Sequence, residues 1–209
     1  MLQQISEQLQ AGKAKIVKEL VRQAIDQGYT PQDILENGLL HGMGIIGEKF
    51  KKNEVFVPEV LVAARAMSQG TAVLKPLLVG ENVKPAGKAC IGTIKGDLHD
   101  IGKNLVKMMM ESKGFEVIDL GADVAPATFI ETAINENCQL ICISALLTTT
   151  MSGMEDVVKA AKAAGIHDKV KIMVGGAPLT SGFAEMIGAD AYTPDATTAA
   201  EVALEFCTK

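Results

Sequence analysis

The first eighty residues carry apolar positions at helical spacing. Residues 13–27 repeat them every three or four positions, and Gly28 follows where a helix C-terminal cap is expected. A shorter segment, residues 2–9, is interpreted in the same way. The apolar positions of the longer segment are Ile16, Val17, Leu20, Val21, Ala24 and Ile25. Both segments are therefore predicted as helices.

A third helix is predicted to begin after Thr30, whose hydroxyl can cap it, with Pro31 in the first helical position. Each glycine inside a helix costs about 1 kcal/mol relative to alanine, so we expect close neighbours where glycines interrupt it. A further helix is predicted from 57 to about 78, which completes an all-helical bundle, domain 1–84. The apolar stripe of the third helix is Leu35, Leu39, Met43, Ile46 and Phe50, and its glycines are Gly38, Gly42, Gly44 and Gly47.

From residue 88 onward, short apolar strands alternate with amphipathic helices. Runs such as Leu140–Ile143 are typical of parallel strands that are covered on both faces. The sequence therefore predicts an α/β domain at 88–209, built on a flavodoxin-like, doubly wound parallel sheet of five strands. A polar segment, 81–87, is predicted as the linker. The strands are expected at 88–94, 115–119, 139–144, 171–174 and near 191, and the helices at 103–112, 126–137, 152–164, 181–187 and 197–206.

Composition and charge narrow the range of partners. Of the 209 residues, 48% are hydrophobic and 22% charged, with a formal net charge of −5. This acidic balance argues against nucleic acid and anionic membranes, which favour basic surfaces. No apolar run is long enough for a membrane span and no signal peptide is evident, so we expect a cytoplasmic protein. The cysteines Cys90, Cys138, Cys142 and Cys207 are predicted as buried, reduced thiols.

The candidate chemistry lies in the loop Lys95–Gly102, because doubly wound sheets bind ligands beyond the carboxyl ends of their strands. In an extended loop, Asp97 and His99 can project to the same side. A carboxylate beside an imidazole fixes the tautomer, as a metal-ligating histidine requires. One histidine cannot hold a metal alone, but it can supply an axial ligand to a metal already held in a macrocycle. The alternative is that this pair merely caps the following helix.

Two further loops support a ligand at the same edge. Residues 144–150 are rich in hydroxyl groups, and Gly175 and Gly176 allow a ligand to approach the backbone. Three such loops predict one large ligand. The glycine spacing fits neither a dinucleotide-binding loop nor a Walker A loop, which disfavours a nucleotide.

These motifs resemble those of the corrinoid (cobalamin) proteins of methyltransferase systems and of the cobalamin module of methionine synthase. Residues 97–102 match the signature Asp-x-His-x-x-Gly, residues 144–146 match Ser-x-Leu, and Gly175-Gly176 follow the fourth strand. In the helical part, residues 47–50 and 56–60 fall where that family has its cap helices. The resemblance covers essentially the whole chain.

The resemblance implies a role for each matching residue. His99 coordinates the cobalt of a cobalamin or related corrinoid from below, Asp97 accepts a hydrogen bond from His99, and Thr150 takes the place of a serine that completes this relay. A linker at 85–87 acts as a hinge for the cap. The loop contacts of the cofactor are Gly96, Leu98, Asp100 and Gly102, and its nucleotide tail is lined by Ser144, Leu146, Thr148, Gly175, Gly176 and Ala196. The cap residues over the upper face are Glu36, Phe50, Val57 and Val60, for which ordinary bundle core is the alternative.

The resemblance also implies a function, that of a methyl carrier. A substrate-specific methyltransferase would methylate its cob(I)alamin, and a second methyltransferase would pass the methyl group to tetrahydrofolate or a thiol. A reductive reactivase is a further expected partner. Donors in the family include methanol, methylamines, betaines and methoxylated aromatics, and the sequence selects none of them. The alternatives are a cobalamin-dependent sensor or regulator, although no basic helix-turn-helix stretch is present, and an adenosylcobalamin mutase subunit, which usually lacks such a bundle.

Overall fold

The computed structural model describes residues 1–78 and 85–208, and the chain divides into two compact units, Met1–Lys84 and Pro85–Lys209. Residues 81–84 of the expected linker lie outside the described residues. The amide of Ala86 donates to the carbonyl of Gly114, and that of Glu116 donates to the carbonyl of Gly87, both at 3.0 Å. Ala86 and Gly87 are thus part of the packed second unit, and a hinge is not expected at these two residues.

The first unit is entirely helical in its described residues. Its helix starts follow from local signals: the Thr30 hydroxyl accepts from the amide of Asp33 at 3.1 Å, as the sequence predicts. Gly28 has a φ of +86°, which suits the end of the preceding helix. The elements are α1 Leu2–Gln10, α2 Ala14–Asp26, α3 Pro31–Asp33, a π-helical segment Ile34–Leu40, α4 His41–Lys51 and α5 Val57–Leu78.

The π-helical segment corrects the predicted apolar stripe. Ile34 and Leu39 are fully buried, whereas Leu35 and, at the other end of the stripe, Phe50 are only half-buried. A π-helical turn closes five residues apart rather than four, so Ile34 takes the position that regular α-helical spacing assigns to Leu35. Met43 and Ile46 are buried as predicted.

Two of the helix glycines have the close neighbour that their cost predicts. A Cβ atom on Gly38 would lie 3.2 Å from the Ile5 side chain, and one on Gly42 would lie 3.0 Å from the backbone of Ser6. Helix α1 can therefore pack close to the π-helical segment and to α4, because Gly38 and Gly42 lack side chains. At Gly44, by contrast, the described part of the chain brings no heavy atom outside the local helix backbone within 4 Å of a Cβ position.

The second unit has the predicted α/β architecture. Its five strands form one parallel sheet in the order β2-β1-β3-β4-β5, so the loop after β1 lies between those after β2 and β3. The strands are β1 Lys88–Thr93, β2 Glu116–Asp119, β3 Leu140–Ser144, β4 Lys171–Gly175 and β5 Ala191–Thr193. The helices are α6 Ile101–Glu111, α7 Pro126–Asn135, α8 Ser152–Ala163, α9 Ser181–Ile187 and α10 Ala196–Thr208.

The core confirms that the central strands are covered on both faces. Most residues of β1, β3 and β4 are buried, while every residue of the edge strand β2 is partly or fully exposed. Phe129 of α7 and Val157 of α8 pack with Ile141 of β3 in the main apolar cluster. Cys90, Cys138 and Cys142 are buried free thiols, and Cys207 is a half-buried one. Within 1–78 and 85–208, none of the helices is long and apolar enough to cross a membrane.

Candidate cofactor site at the carboxyl edge of the sheet

The loop between β1 and α6 turns sharply at Gly96. Gly96 has a φ of +86°, a conformation that glycine adopts without strain, and the next amide, that of Asp97, donates to the carbonyl of Ile94 at 3.1 Å. The turn directs Asp97 inward, where it has no exposed surface. The side chain of His99, two residues later, remains 53% exposed. The loop therefore pairs a buried carboxylate with an accessible imidazole.

The Asp97 carboxylate joins the loop after β1 to the loop after β3. Its Oδ1 accepts from the backbone amide of His99 at 3.0 Å and contacts the ring Nδ1 of His99 at 2.7 Å. Its Oδ2 accepts from the amides of Leu146 and Leu147, at 2.7 and 3.0 Å, and from the Thr150 hydroxyl at 3.2 Å. The sequence prediction that Asp97, His99 and Thr150 come together is met by this geometry.

The alternative that the pair merely caps the following helix is wrong. The N-cap residue of α6 is Asp100, and neither Asp97 nor His99 supplies a side-chain cap to that helix. Three of the five hydrogen bonds to the Asp97 carboxylate instead come from a loop about fifty residues further along the chain. The carboxylate is thus built into the sheet edge rather than into the helix start.

The hydrogen bonds decide the charge of Asp97. Burial alone raises the pKa of its carboxyl, but the amides of His99 and Leu146, the His99 ring and the amide of Leu147 outweigh it and hold the pKa well below its usual range. An ionised carboxylate can only accept, so the Nδ1 of His99 must donate. The neutral ring then has its lone pair on Nε2, which is the form that binds a metal.

Thr150 divides its hydroxyl between two acceptors. The oxygen lies 3.2 Å from Asp97 Oδ2 and 2.9 Å from the carbonyl of Leu147, and a hydroxyl has one proton to donate. The Leu147 contact fixes the turn that carries Thr150. The contact with Asp97 makes Thr150 the third member of a hydrogen-bonded chain that begins at the His99 ring.

Sequence reasoning missed Thr93, which supports His99 from within the fold. Thr93 is the last residue of β1 and is fully buried, and its hydroxyl donates to the backbone carbonyl of His99 at 2.9 Å. In the sequence, threonine inside an apolar strand is simply a good strand former. The available signal was a hydroxyl at the last position of a strand that is otherwise apolar.

Four large apolar side chains are exposed on the two loops that Asp97 joins and at the start of α6. The exposed fractions are 76% for Leu98 and 69% for Ile101, and 44% for Leu146 and 39% for Leu147. Exposed apolar side chains in such a group mark a binding surface. Of these four, Leu98 and Leu146 are cofactor contacts predicted from the sequence. Gly96, Asp100 and Thr148, also predicted, are exposed on the same loops.

Gly102 lies in the first turn of α6 and has no internal reason to be glycine. It is exposed, its φ is not positive, and no heavy atom of the described residues, outside the local helix backbone, comes within 4 Å of a Cβ position. A glycine that the fold does not need, next to an accessible imidazole, fits the close approach of a flat ligand.

The predicted tail residues line up at the ends of the central strands. Ser144 is paired in register with Thr93 on one side and with Gly175 on the other, and Gly175 is paired with Thr193. Ala196, the first residue of α10, is buried. The structure thus brings the ends of β1, β3, β4 and β5 to one edge, as the predicted site requires.

Gly176 has a structural explanation of its own. Its φ is +141°, and a Cβ atom would lie 1.8 Å from the carbonyl oxygen of Ala145. A side chain here would therefore disrupt the contact between the loops after β3 and β4, whether or not a ligand is bound. A bulky substitution at Gly176 is consequently not a clean test of a ligand path.

The four predicted cap residues all belong to the first unit. Glu36 lies in the π-helical segment, is exposed, and accepts from the Gln32 side chain at 2.9 Å. Phe50 and Val57 are half-buried. Val60 is fully buried, which agrees with the bundle-core alternative for that residue.

The residues present fit a corrin that is ligated from one side. A single imidazole with its lone pair on Nε2 offers one axial ligand, which suits a metal whose equatorial positions are filled by a macrocycle. The exposed apolar side chains and the open glycine suit its broad face. The polar edge formed by Ser144 and Thr148 suits a nucleotide-like tail.

Comparisons with known proteins indicate a corrinoid as the cofactor class. Two family models, each described as a B12 binding domain, match residues 87–204 and 1–75. The dimethylamine corrinoid protein of Methanosarcina barkeri is 43% identical over 206 residues, covering 98% of this chain and 96% of the relative. Trimethylamine corrinoid protein 1 of Methanosarcina acetivorans is 43% identical over 185 residues, covering 88% of this chain and 86% of the relative.

A solved structure gives the same result for the fold. The methanol:cobalamin methyltransferase complex from Methanosarcina barkeri contains a chain that matches with a TM-score of 0.89 and 28% identity, over 97% of this chain and 78% of that one. The match includes both the helical part and the parallel sheet, since it spans nearly the whole chain. The chain therefore belongs to the corrinoid proteins of methyltransferase systems.

Proposed function

We propose that this chain is a methyl carrier that holds a cobalamin or related corrinoid and moves a methyl group between two methyltransferases. The observation that carries the proposal is the His99 ring, which donates from Nδ1 to a buried, ionised Asp97 and so keeps the lone pair on Nε2. The cobalt of the bound corrin supplies the centre that carries the methyl group.

His99 would hold a bound corrin through its metal. His99 would supply the ligand atom Nε2, and Asp97 holds the proton of Nδ1 in a 2.7 Å contact. The closer this proton lies to Asp97 Oδ1, the more strongly Nε2 donates. Thr150 donates to Asp97 Oδ2 and thereby moderates the basicity of the carboxylate. These three residues would adjust how strongly Nε2 binds a metal, without moving the loop.

The remaining predicted residues are proposed to line the cofactor site at the carboxyl edge of the sheet. Leu98 and Leu146 offer apolar surface that keeps water from the ligated face. Gly102 leaves room for close approach. Gly175, whose Cβ position lies 3.3 Å from the carbonyl oxygen of Thr193, and the hydroxyls of Ser144 and Thr148 are proposed to line a polar tail. Glu36, Phe50 and Val57 remain the proposed cap residues, whereas Val60, which is fully buried, is assigned to the core of the helical bundle.

The relatives support methylated amines as the methyl source. The names of the two curated relatives at 43% identity, a dimethylamine and a trimethylamine corrinoid protein, favour an amine methyltransferase as the partner that delivers the methyl group. A second methyltransferase acting on tetrahydrofolate or a thiol would receive it, and a reductive reactivase would restore the reduced cofactor. We expect all of these partners in the cytoplasm.

Reconstitution tests the central assignment. The apoprotein incubated with cobalamin should bind it and give the absorption of a histidine-ligated corrin, and after reduction methyl iodide should change that spectrum. His99→Ala should bind more weakly and lose the histidine-ligated spectrum, whereas the matched control His167→Ala should keep both. A wild-type protein that stays colourless, or a His99→Ala variant with an unchanged spectrum, would overturn the proposal.

A pair of neighbouring threonines tests the path of the tail. Thr148 and Thr149 are both exposed, but only Thr148 is assigned to the tail. Thr148→Trp should weaken cobalamin binding about tenfold or more, a change of about 1.4 kcal/mol, while Thr149→Trp should load normally. Equal loading of the two variants would show that the tail does not pass residue 148.

The methyl source can be identified by transfer assays. The reduced holoprotein would be mixed with methanol-, monomethylamine-, dimethylamine- and trimethylamine-specific methyltransferases, each with its own substrate. We expect methylation with the dimethylamine or trimethylamine enzyme. Methylation by the methanol enzyme alone would contradict the amine assignment while leaving the carrier function intact.

A further inference from the structure

The loop after β2 borders the His99 loop on the side away from β3. The amide of Thr93 donates to the carbonyl of Gly121, and the amide of Val124 donates to the carbonyl of Thr93, both at 2.9 Å. Ile94 and Val124 continue this pairing as a parallel bridge beyond the named strands. Residues 121–124 are therefore held by backbone hydrogen bonds beside the turn that leads to His99.

Asp123, in the loop after β2, contacts the turn at Gly96 and Asp97 at two points. Its Oδ1 accepts from the amide of Gly96 at 2.7 Å, and its own amide donates to the carbonyl of Asp97 at 3.0 Å. The amide of Asp97 already donates to Ile94. Both backbone groups of the buried Asp97 are therefore satisfied, as burial requires, and Asp123 supplies one of the partners.

The backbone conformation of Asp123 shows that its side chain matters. Its φ is +58°, in the left-handed region, where glycine is strain-free and other residues carry a cost. The conformation alone would favour glycine. A carboxylate that accepts the Gly96 amide gives a reason for an aspartate at this strained position.

We propose that Asp123 is a positioning residue for His99. By holding the Gly96 amide and the Asp97 carbonyl, it fixes the turn so that the Asp97 carboxylate reaches both the His99 ring and the loop after β3. The His99 loop is thus held from both neighbouring loops, through Asp123 on one side and Asp97 on the other. The significance of this for cofactor binding rests on the proposed function, whereas the positioning itself does not.

Three variants separate the side chain from the backbone conformation. Asp123→Gly keeps the left-handed backbone and removes the acceptor, and Asp123→Asn restores a neutral acceptor. Asn137→Gly is the matched control, because Asn137 also has a positive φ, +54°. It lies before the amino end of β3, whereas the site lies at the carboxyl ends of the strands. The first readout is made on the apoprotein, by NMR of the His99 ring nitrogens and of hydrogen exchange at the Gly96 amide.

The expected results are specific to Asp123. Asp123→Gly should speed exchange at Gly96 about tenfold and shift the His99 ring from the Nδ1–H tautomer toward the Nε2–H tautomer. Asp123→Asn should restore both values, and Asn137→Gly should leave both at the wild-type level. A wild-type tautomer in Asp123→Gly, a failure of Asp123→Asn to restore it, or the same shift in Asn137→Gly would each overturn the proposal.

A second readout concerns the reconstituted protein. At one pH and temperature, the fraction of bound cobalamin with the histidine-ligated spectrum should fall in Asp123→Gly and recover in Asp123→Asn. Equal ligated fractions in wild type and Asp123→Gly would overturn the role of Asp123 in ligation. If wild-type protein binds no corrin at all, the proposed function fails, and the apoprotein NMR still decides whether Asp123 positions His99.

Discussion

Replacing Asp97 by asparagine is the sharpest perturbation of the site, because it changes one oxygen to an amino group and keeps the shape. The wild-type carboxylate accepts hydrogen bonds from three backbone amides, one ring nitrogen and one hydroxyl. Asparagine has a single acceptor oxygen, and its amino group can only donate. Some of the donors that face residue 97 must therefore lose their partner.

The geometry indicates which donors lose their partner. With the amino group in place of Oδ2, the amides of Leu146 and Leu147 are both unpaired. With the amino group in place of Oδ1, only the amide of His99 is unpaired, and the ring must accept at Nδ1 and carry its proton on Nε2. We expect the second arrangement, since one unpaired amide costs about 1–3 kcal/mol, and weaker neutral hydrogen bonds raise the total to about 2–4 kcal/mol.

Urea unfolding of the apoprotein at pH 7 measures this cost. The matched control is Asp100→Asn, because Asp100 lies in the same loop, is exposed, and accepts from the Asn104 side chain at 3.1 Å. The control should change the free energy of unfolding by less than about 0.5 kcal/mol. An Asp97→Asn variant as stable as the control would refute the hydrogen-bond argument.

The same comparison in acid provides a second check. The folded pKa of Asp97 is depressed below its ordinary value of 3.8, so its stabilisation is complete above that value and is lost as the pH falls toward the folded pKa. The stability difference between wild type and Asp97→Asn should therefore shrink from pH 7 to pH 3. A difference that is the same at both pH values would contradict an ionised Asp97.

Three other substitutions test the structure around the site. Gly176→Ala should cost more than about 3 kcal/mol in thermal unfolding, because its Cβ would lie 1.8 Å from the carbonyl oxygen of Ala145, and a wild-type melting temperature would contradict this. Lys103→Met should lower the free energy of unfolding by about 3 kcal/mol and Lys107→Met by much less. The reason is that Lys103 is 2% exposed and lies 2.5 Å from Asp119, whereas Lys107 is partly exposed and lies 3.3 Å from the same residue. Equal losses in urea unfolding would refute this ranking. Gly44→Ala should raise stability by up to about 1 kcal/mol, and a loss would indicate an unseen close contact.

The α/β half of the fold could be predicted because its signals are local. The strand Leu140–Ser144 begins with the continuous apolar run 140–143, and α9 has the predicted bounds 181–187, with Thr180 capping its start and Gly188 its end. The helical half was harder at one place. Regular spacing assigned Leu35 to the core, and the π-helical turn buried Ile34 instead. Such a turn leaves no clear mark in a hydrophobic pattern, since it is decided by packing against neighbouring helices.

The candidate site also contains residues that could be predicted from the sequence and residues that could not. Asp97 and His99 were found because they share one loop after a strand, and Thr150 was found through the resemblance to methionine synthase, which has a serine at that position. Thr93 and Asp123 were not found, because their contacts depend on which loops lie side by side and on a left-handed backbone at residue 123. Residues that hold a site through space are visible only once the sheet order is known.

The buried carboxylate links the two sides of this site. Oδ1 of Asp97 is bonded to His99, whereas Oδ2 is bonded to the loop that carries Leu146, Leu147 and Thr150. Any displacement of that loop removes donors from Oδ2 and makes the carboxylate more basic. A more basic Asp97 draws the Nδ1 proton of His99 closer, which strengthens donation from Nε2. Under the proposed function, displacement of the loop after β3 and the strength of His99 as a metal ligand would therefore be coupled through Asp97, with no movement of His99 required.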